Sequence, residues 1–256
     1  MIHRPAPRGI DLITQPAHAW LSGQMARAWG NERFARPEPR EDVCLAAEQH
    51  DVAWAEWELH PTRNPATGFP HTVFDVPVEE HAGVWTGSGR KALVYGRYPA
   101  LLVSLHGTGF YDGANRAQLP AARRHQLEVE QAFQQEMRDS LAADPAYAFT
   151  ADPDIVMQHH RLVATVDWIS LVMCMRMQAR VIERVPERPG VLISMAINPA
   201  GDEGRRWQLD PWPFARPELT LSVDARHLAA PAEDDAALVR ALAEAPWVRH
   251  TLTLTR

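Results

Sequence analysis

Lysine is nearly missing: a single residue, Lys91, stands among 26 basic side chains, so arginine carries almost all the positive charge. That leaves little room for Schiff-base or other lysine chemistry. Basic groups are also outnumbered by 32 acidic ones, for a net charge of -6, and no Lys/Arg-rich run occurs. The balance argues against a nucleic acid or an anionic membrane as partner. Cysteine is scarce as well. Cys44 and Cys174 sit in apolar helical stretches, the pattern of reduced, buried thiols rather than a disulfide framework. The longest apolar run, Leu162 to Met175, is interrupted by Asp167 and is too short to cross a bilayer. The N-terminal Met1-Ile2-His3-Arg4-Pro5 lacks the apolar segment of a signal peptide. A soluble, cytoplasmic protein is expected. What the chain has in surplus is histidine, with 12, and tryptophan, with 9.

Periodicity suggests the elements. Residues 10–15 alternate as a strand, and Pro16 opens a helix carrying His18, Leu21, Met25 and Trp29 to Gly30-Asn31. A second helix starts near Arg40, with Val43, Ala46, Ala47, His50, Trp54 and Trp57 on its apolar face. Residues 60–90 hold several prolines and glycines and are expected to be a long irregular segment, functional or mobile. Further helices are expected over 98–106, 118–143 and 153–182, the last the most apolar. After Val185-Pro186-Glu187-Arg188-Pro189-Gly190 the period changes to two, which suggests a small antiparallel sheet with one short helix around Leu238 and Leu242. The expected architecture is mainly α with a small antiparallel β-rich C-terminal part, α+β overall. Residues 1–184 form the helical domain, with an N-terminal strand and a 60–97 loop insertion, and 185–256 a β-rich subdomain.

Polar groups fall where apolar ones are expected. His18, His50 beside Asp51, and His106 lie on or end apolar helix faces. Asp167 sits within Val163-Ala164-Thr165-Val166-Asp167-Trp168-Ile169. A buried carboxylate without a partner costs several kcal/mol or changes its protonation state. A divalent cation relieves several such groups together. Neutral imidazoles and carboxylates suit Mn, Fe, Zn, Ni or Co.

The order His, His-Asp, His, Asp resembles the HD superfamily of helical metal-dependent phosphohydrolases. The likeness rests on Gln49-His50-Asp51-Val52-Ala53-Trp54 and on Val166-Asp167-Trp168-Ile169-Ser170-Leu171. More narrowly, the chain looks like an uncharacterised bacterial family of that type. That likeness rests on Gln15-Pro16-Ala17-His18, Ser104-Leu105-His106-Gly107 and Pro211-Trp212-Pro213-Phe214. The superfamily resemblance implies an HD-type helical bundle in which His18, His50, Asp51 and Asp167 share one metal. His106 is a further metal ligand or a catalytic group.

The expected function is a metal-dependent hydrolase, a phosphohydrolase of a small anionic metabolite. Asp51, His106 and His160 are the catalytic candidates, and Trp54 and Arg161 the substrate-binding ones. Asp51 both ligates and holds the attacking water. His160 and His106 are open to three roles: holding a second metal, contacting substrate, or acid/base work. The alternatives are a diiron oxygenase of the same fold, with two metals, and a ligand-binding or regulatory module without turnover. His60, His71 and His81 fall in the proline-rich segment, as plain loop or lid. His125 is expected in solvent, and His3, His227 and His250 are expected to be structural. Trp20, Trp29, Trp54, Trp57 and Trp168 are assigned to the core, with Trp54 also a candidate wall of the site.

Overall fold

Thr14 starts the first helix: its hydroxyl accepts from the backbone N–H of Ala17 at 3.1 Å, and Pro16 fits the first turn, where no N–H is needed. The resulting α1 (Gln15–Ala28) belongs to a chain whose computed structural model describes residues 1–201 and 204–256. Two short strands precede it, β1 (Ile2–Pro5) and β2 (Ile10–Ile13). After it come α2 (Arg40–Gln49), α3 (Trp54–Glu58), α4 (Val78–Trp85), α5 (Ser88–Ala92), α6 (Arg97–Gly109) and α7 (Ala121–Ala142). The long α8 (Pro153–Met175) begins on Asp152, whose side chain accepts from the N–H of Asp154. It ends at Arg176 in the left-handed region, φ 53°. The remainder is β3 (Arg180–Arg188), β4 (Val191–Pro199), β5 (Arg206–Asp210), β6 (Glu218–Leu228), α9 (Asp235–Glu244) and β7 (Trp247–Thr255).

The strands form one curled sheet in the order β1-β2-β6-β7-β5-β4-β3, antiparallel except for the parallel pair β5–β7. The fold is therefore α/β, with a seven-stranded mixed sheet, and the expectation of a mainly α chain with a small C-terminal β part is overturned. Three strands escape the sequence pattern. β1 has four residues and ends on Pro5. β5 offers only Trp207 and Leu209 to the core. β3 is an edge strand whose register shifts twice, so its alternation is broken around Val185 and Pro186. The helix expected to run to Ile182 accordingly stops at Met175. The composition break at 185–190 is the end of a strand and its hairpin turn.

One apolar core joins the helices to the sheet. Leu21, Met25 and Trp29 of α1, Leu101 and Leu102 of α6, and Val166, Ile169 and Met173 of α8 meet Val223, Leu252 and Leu254 of the sheet, all nearly inaccessible. Arg4 of β1 is buried with them, and its guanidinium donates to the carbonyls of Met173 and Cys174 at 2.6 and 3.2 Å. It thus satisfies carbonyls that the end of α8 leaves open. Cys44 and Cys174 are buried free thiols, which burial holds well above the usual range, at about 11 and about 12. Trp20 and Trp168, expected in the core, are instead 44% and 46% exposed. The segment expected to be irregular over 60–90 contains α4 and the start of α5, and Val73 and Trp85 pack with Trp54 in a small cluster of their own. Among the described residues no helix is long and apolar enough to cross a membrane.

Candidate metal centre and its cavity

Four elements bring five buried donors to one point. α1 supplies His18, the turn closing α2 supplies His50 and Asp51, α6 supplies His106 and α8 supplies Asp167. α2 ends at Gln49, so the doublet occupies a helix end rather than the middle of the longer helix the sequence suggests. His106 lies three residues inside the end of α6.

The contacts are close. His18 Nε2 lies 2.7 Å from Asp51 Oδ2 and 3.7 Å from Asp167 Oδ1. His50 Nε2 lies 3.6 Å from Asp51 and 3.4 Å from Asp167, and His106 Nε2 is 3.7 Å from Asp167 Oδ2. Donors held about 2.1 Å from one ion sit roughly 3.0–3.5 Å apart; four of these pairs, at 3.4–3.7 Å, are at or just beyond that range, and the fifth, His18 Nε2 with Asp51 Oδ2, is a direct hydrogen bond.

The outer nitrogens of His18 and His50 are anchored, whereas His106 Nδ1 is buried without a hydrogen-bond partner among the described residues. His50 Nδ1 donates to the carbonyl of Ala47 at 2.8 Å, so Nε2 faces inward. That Nε2 is buried and has no hydrogen-bond partner among the described residues. His18 Nδ1 lies 2.6 Å from Ser170 Oγ, and the Ser170 hydroxyl donates to the Asp167 carbonyl at 2.8 Å. His18 Nδ1 is thus anchored on that hydroxyl, while His18 Nε2 is hydrogen-bonded to Asp51 Oδ2 at 2.7 Å. Both imidazoles are oriented with Nε2 toward the centre and Nδ1 anchored behind it, the arrangement that orients metal-ligating histidines.

Electrostatics favours a cation at the same point. Burial opposes a charged His50, but the carboxylates of Asp51 and Asp167 outweigh it and lift His50 to about 9. Burial likewise opposes ionisation of Asp51, yet His50 and His18 hold its carboxyl down at about 2. Asp167 is shifted downward against burial by His50, His106 and His18. Burial and the neighbouring His50 push His106 down to about 4, so its ring stays neutral. The five residues could hold a metal ion, in two overlapping triads, His18/His50/Asp51 and His50/His106/Asp167.

A cavity of ≈ 270 Å³ opens over these donors. Trp54, Val73, Phe74, Trp85, Phe110, Trp168 and Leu171 form most of its wall, with Gln15, His81 and Tyr111 as the polar additions. Trp85 can lie flat against α6 because residue 107 is glycine. A Cβ there would come within 2.5 Å of the indole. Trp54, a sequence candidate, does wall the site. Arg161 and His160 do not line it. Arg161 pairs with Asp112 at 2.6 Å. His160 is buried beneath Gly109, where burial and Arg161 lower it to about 3. His81 packs edge-on to Trp54 with ring centres 5.2 Å apart, and burial and Arg123 lower it to about 4. The sequence places His81 only as plain loop or lid, and it passes over Phe110, Tyr111 and the wall role of Trp168. The only signal was the adjacency of Trp168 to Asp167.

Fold and site together define the class: an α/β protein with a buried His/Asp centre, fit to hold a metal, at the floor of an aromatic cavity. Residues 1–230 match the model of a family described as "protein of unknown function (DUF3891)", and the chain belongs to that family. No curated protein and no solved structure matches it.

Proposed function

We propose that the protein is a metal-dependent hydrolase with a centre of the HD type. The observation that carries this reading is the convergence of His18, His50, Asp51, His106 and Asp167, with two imidazoles anchored through Nδ1 and the His50 Nε2 left without a partner. An ion bound there acts as a Lewis acid and lowers the pKa of a water in its coordination sphere. Mn, Fe, Co, Ni and Zn all suit the donor set. The protein's own part is to fix donor orientation through Ala47 and Ser170 and to keep the carboxylates charged. The neutral His106 at the cavity floor is placed to accept a proton. Trp54, Trp85 and Phe110 exclude bulk water from the reacting bond.

One ion per chain is the reading the donors favour, because the two triads share His50 and one imidazole nitrogen serves one ion. A diiron oxygenase would need a separate second set, and His160 lies outside the cluster. Metal analysis of protein purified without chelator tests the proposal. About one equivalent of a transition metal is expected. Protein that is metal-free and also fails to bind Mn, Fe, Ni or Zn refutes it.

A further inference from the structure

We infer that the cavity takes a small, uncharged, ring-containing molecule bearing a hydrogen-bond donor, and not a phosphorylated one. The inference rests on the metal-centre reading and narrows its substrate class.

The walls carry the argument. Among the described residues no arginine or lysine lines the cavity. Lys91 is exposed on α5, and Arg161 is committed to Asp112. Arg123 stands behind the wall. Its guanidinium stacks over Tyr111 at 4.8 Å and binds His81 Nδ1 at 3.0 Å and Gln126 Oε1 at 2.5 Å, so it is held there.

Charge accounting points the same way. A divalent ion with two carboxylates, Asp51 and Asp167, is formally neutral. A phosphate monoester brings about -1.5 to -2 at neutral pH, and nothing in this wall offsets it. Burying such a charge uncompensated is costly. Aromatic walls instead reward ring stacking and edge contacts. The volume, ≈ 270 Å³, lies just under the roughly 300–1,000 Å³ of ordinary small-molecule sites, so a single substituted ring fits. Gln15, 3% exposed, contributes to the same cavity, and its Oε1 is buried without a partner among the described residues. An unpartnered acceptor of this kind selects a ligand that brings an N–H or O–H, because leaving it bare is costly.

Calorimetric titration with two ring-matched probes tests this: acetanilide, neutral with one N–H, and phenylphosphonate, anionic. Both are titrated into as-purified and EDTA-treated protein, with metal content measured on the same samples. Acetanilide is expected to bind at least about tenfold more tightly than phenylphosphonate in both preparations. Gln15→Leu should weaken acetanilide by up to about tenfold, the worth of one hydrogen bond. Trp168→Arg, at the partly exposed mouth, should raise phenylphosphonate affinity by about tenfold. Equal or tighter binding of phenylphosphonate to the wild type, particularly if lost in Arg123→Gln, overturns the inference, as does binding of neither probe. Metal-free protein that still prefers acetanilide sinks only the metal-centre reading. Fully metallated protein that prefers phenylphosphonate sinks only the substrate class.

Discussion

Among the described residues two His–Asp clusters form, and their contrast shows what separates a clamp from a candidate site. On the sheet, Asp11 of β2 sits between His227 of β6 and His250 of β7. Its Oδ1 is 2.7 Å from His227 Nδ1, and its Oδ2 is 3.0 Å from His250 Nε2. One carboxylate is shared between two rings on opposite oxygens, and among the described residues these three do not form a group that could hold a metal ion. At the helical centre the carboxylates and imidazoles converge on one point, and the Nδ1 atoms of His18 and His50 are already anchored. A cavity opens over the second cluster. The same residue types therefore build a structural clamp in one place and a set of donors that could hold an ion in the other. The difference lies in whether the donors converge on one point beneath a cavity.

The largest effect that sharpens this contrast is loss of a donor. Asp167→Asn should lower metal content from about one equivalent to below about one-tenth, measured by plasma mass spectrometry. Asp11→Asn should leave metal content unchanged and cost about 1 kcal/mol of stability, the scale of a net hydrogen bond. Equal metal loss in both variants would erase the distinction. Next comes the anchor: Ser170→Ala frees His18 Nδ1 and should weaken metal affinity by about 10–100-fold, whereas His227→Gln should not change it. Competition with a fluorescent chelator reads both.

A third prediction concerns the wall. Gly107→Ala places a methyl 2.5 Å from the Trp85 ring, which should cost roughly 1–3 kcal/mol by overpacking, seen as a lower Tm, with the sheet cluster untouched. A fourth prediction is a pH slope outside both clusters. His159 accepts from the Tyr98 hydroxyl at 2.6 Å, and burial lowers it to about 4. The folded state holds this ring neutral while the unfolded chain protonates it below about 6.5. Its contribution is present above about pH 6.5 and lost as pH falls toward about 4. Melting curves across that window should show His159→Gln losing less Tm on acidification than the wild type. An identical slope contradicts the assignment.

Much of the site could be read in the sequence because burial of a polar group on an apolar helix face is a local pattern. His18, His106 and Asp167 break 3.6-residue periodicities, and His50-Asp51 follows one. What the pattern cannot supply is direction around the helix end. His160 is two turns from Asp167 in spacing, yet packs beneath Gly109. Arg161, one residue on, turns toward Asp112. The cavity wall was mostly hidden because Val73, Phe74, His81 and Trp85 come from a segment without sustained periodicity, and only folding sets them opposite Trp54. The sheet was undercounted for a similar reason. β1 and β5 are too short to show alternation, and β3 is interrupted by its register shifts and Pro186. Two of the three missed strands, β1 and β3, are the sheet's edges, where a weak pattern is tolerated because one side bears no partner strand.

The most direct test is anomalous diffraction from crystals of protein purified without chelator. The account predicts one peak at the point enclosed by His18 Nε2, His50 Nε2, Asp51 and Asp167, about 2.0–2.2 Å from each donor, and none at Asp11. No peak after transition-metal soaking, or a peak between Asp11, His227 and His250 instead, would contradict it.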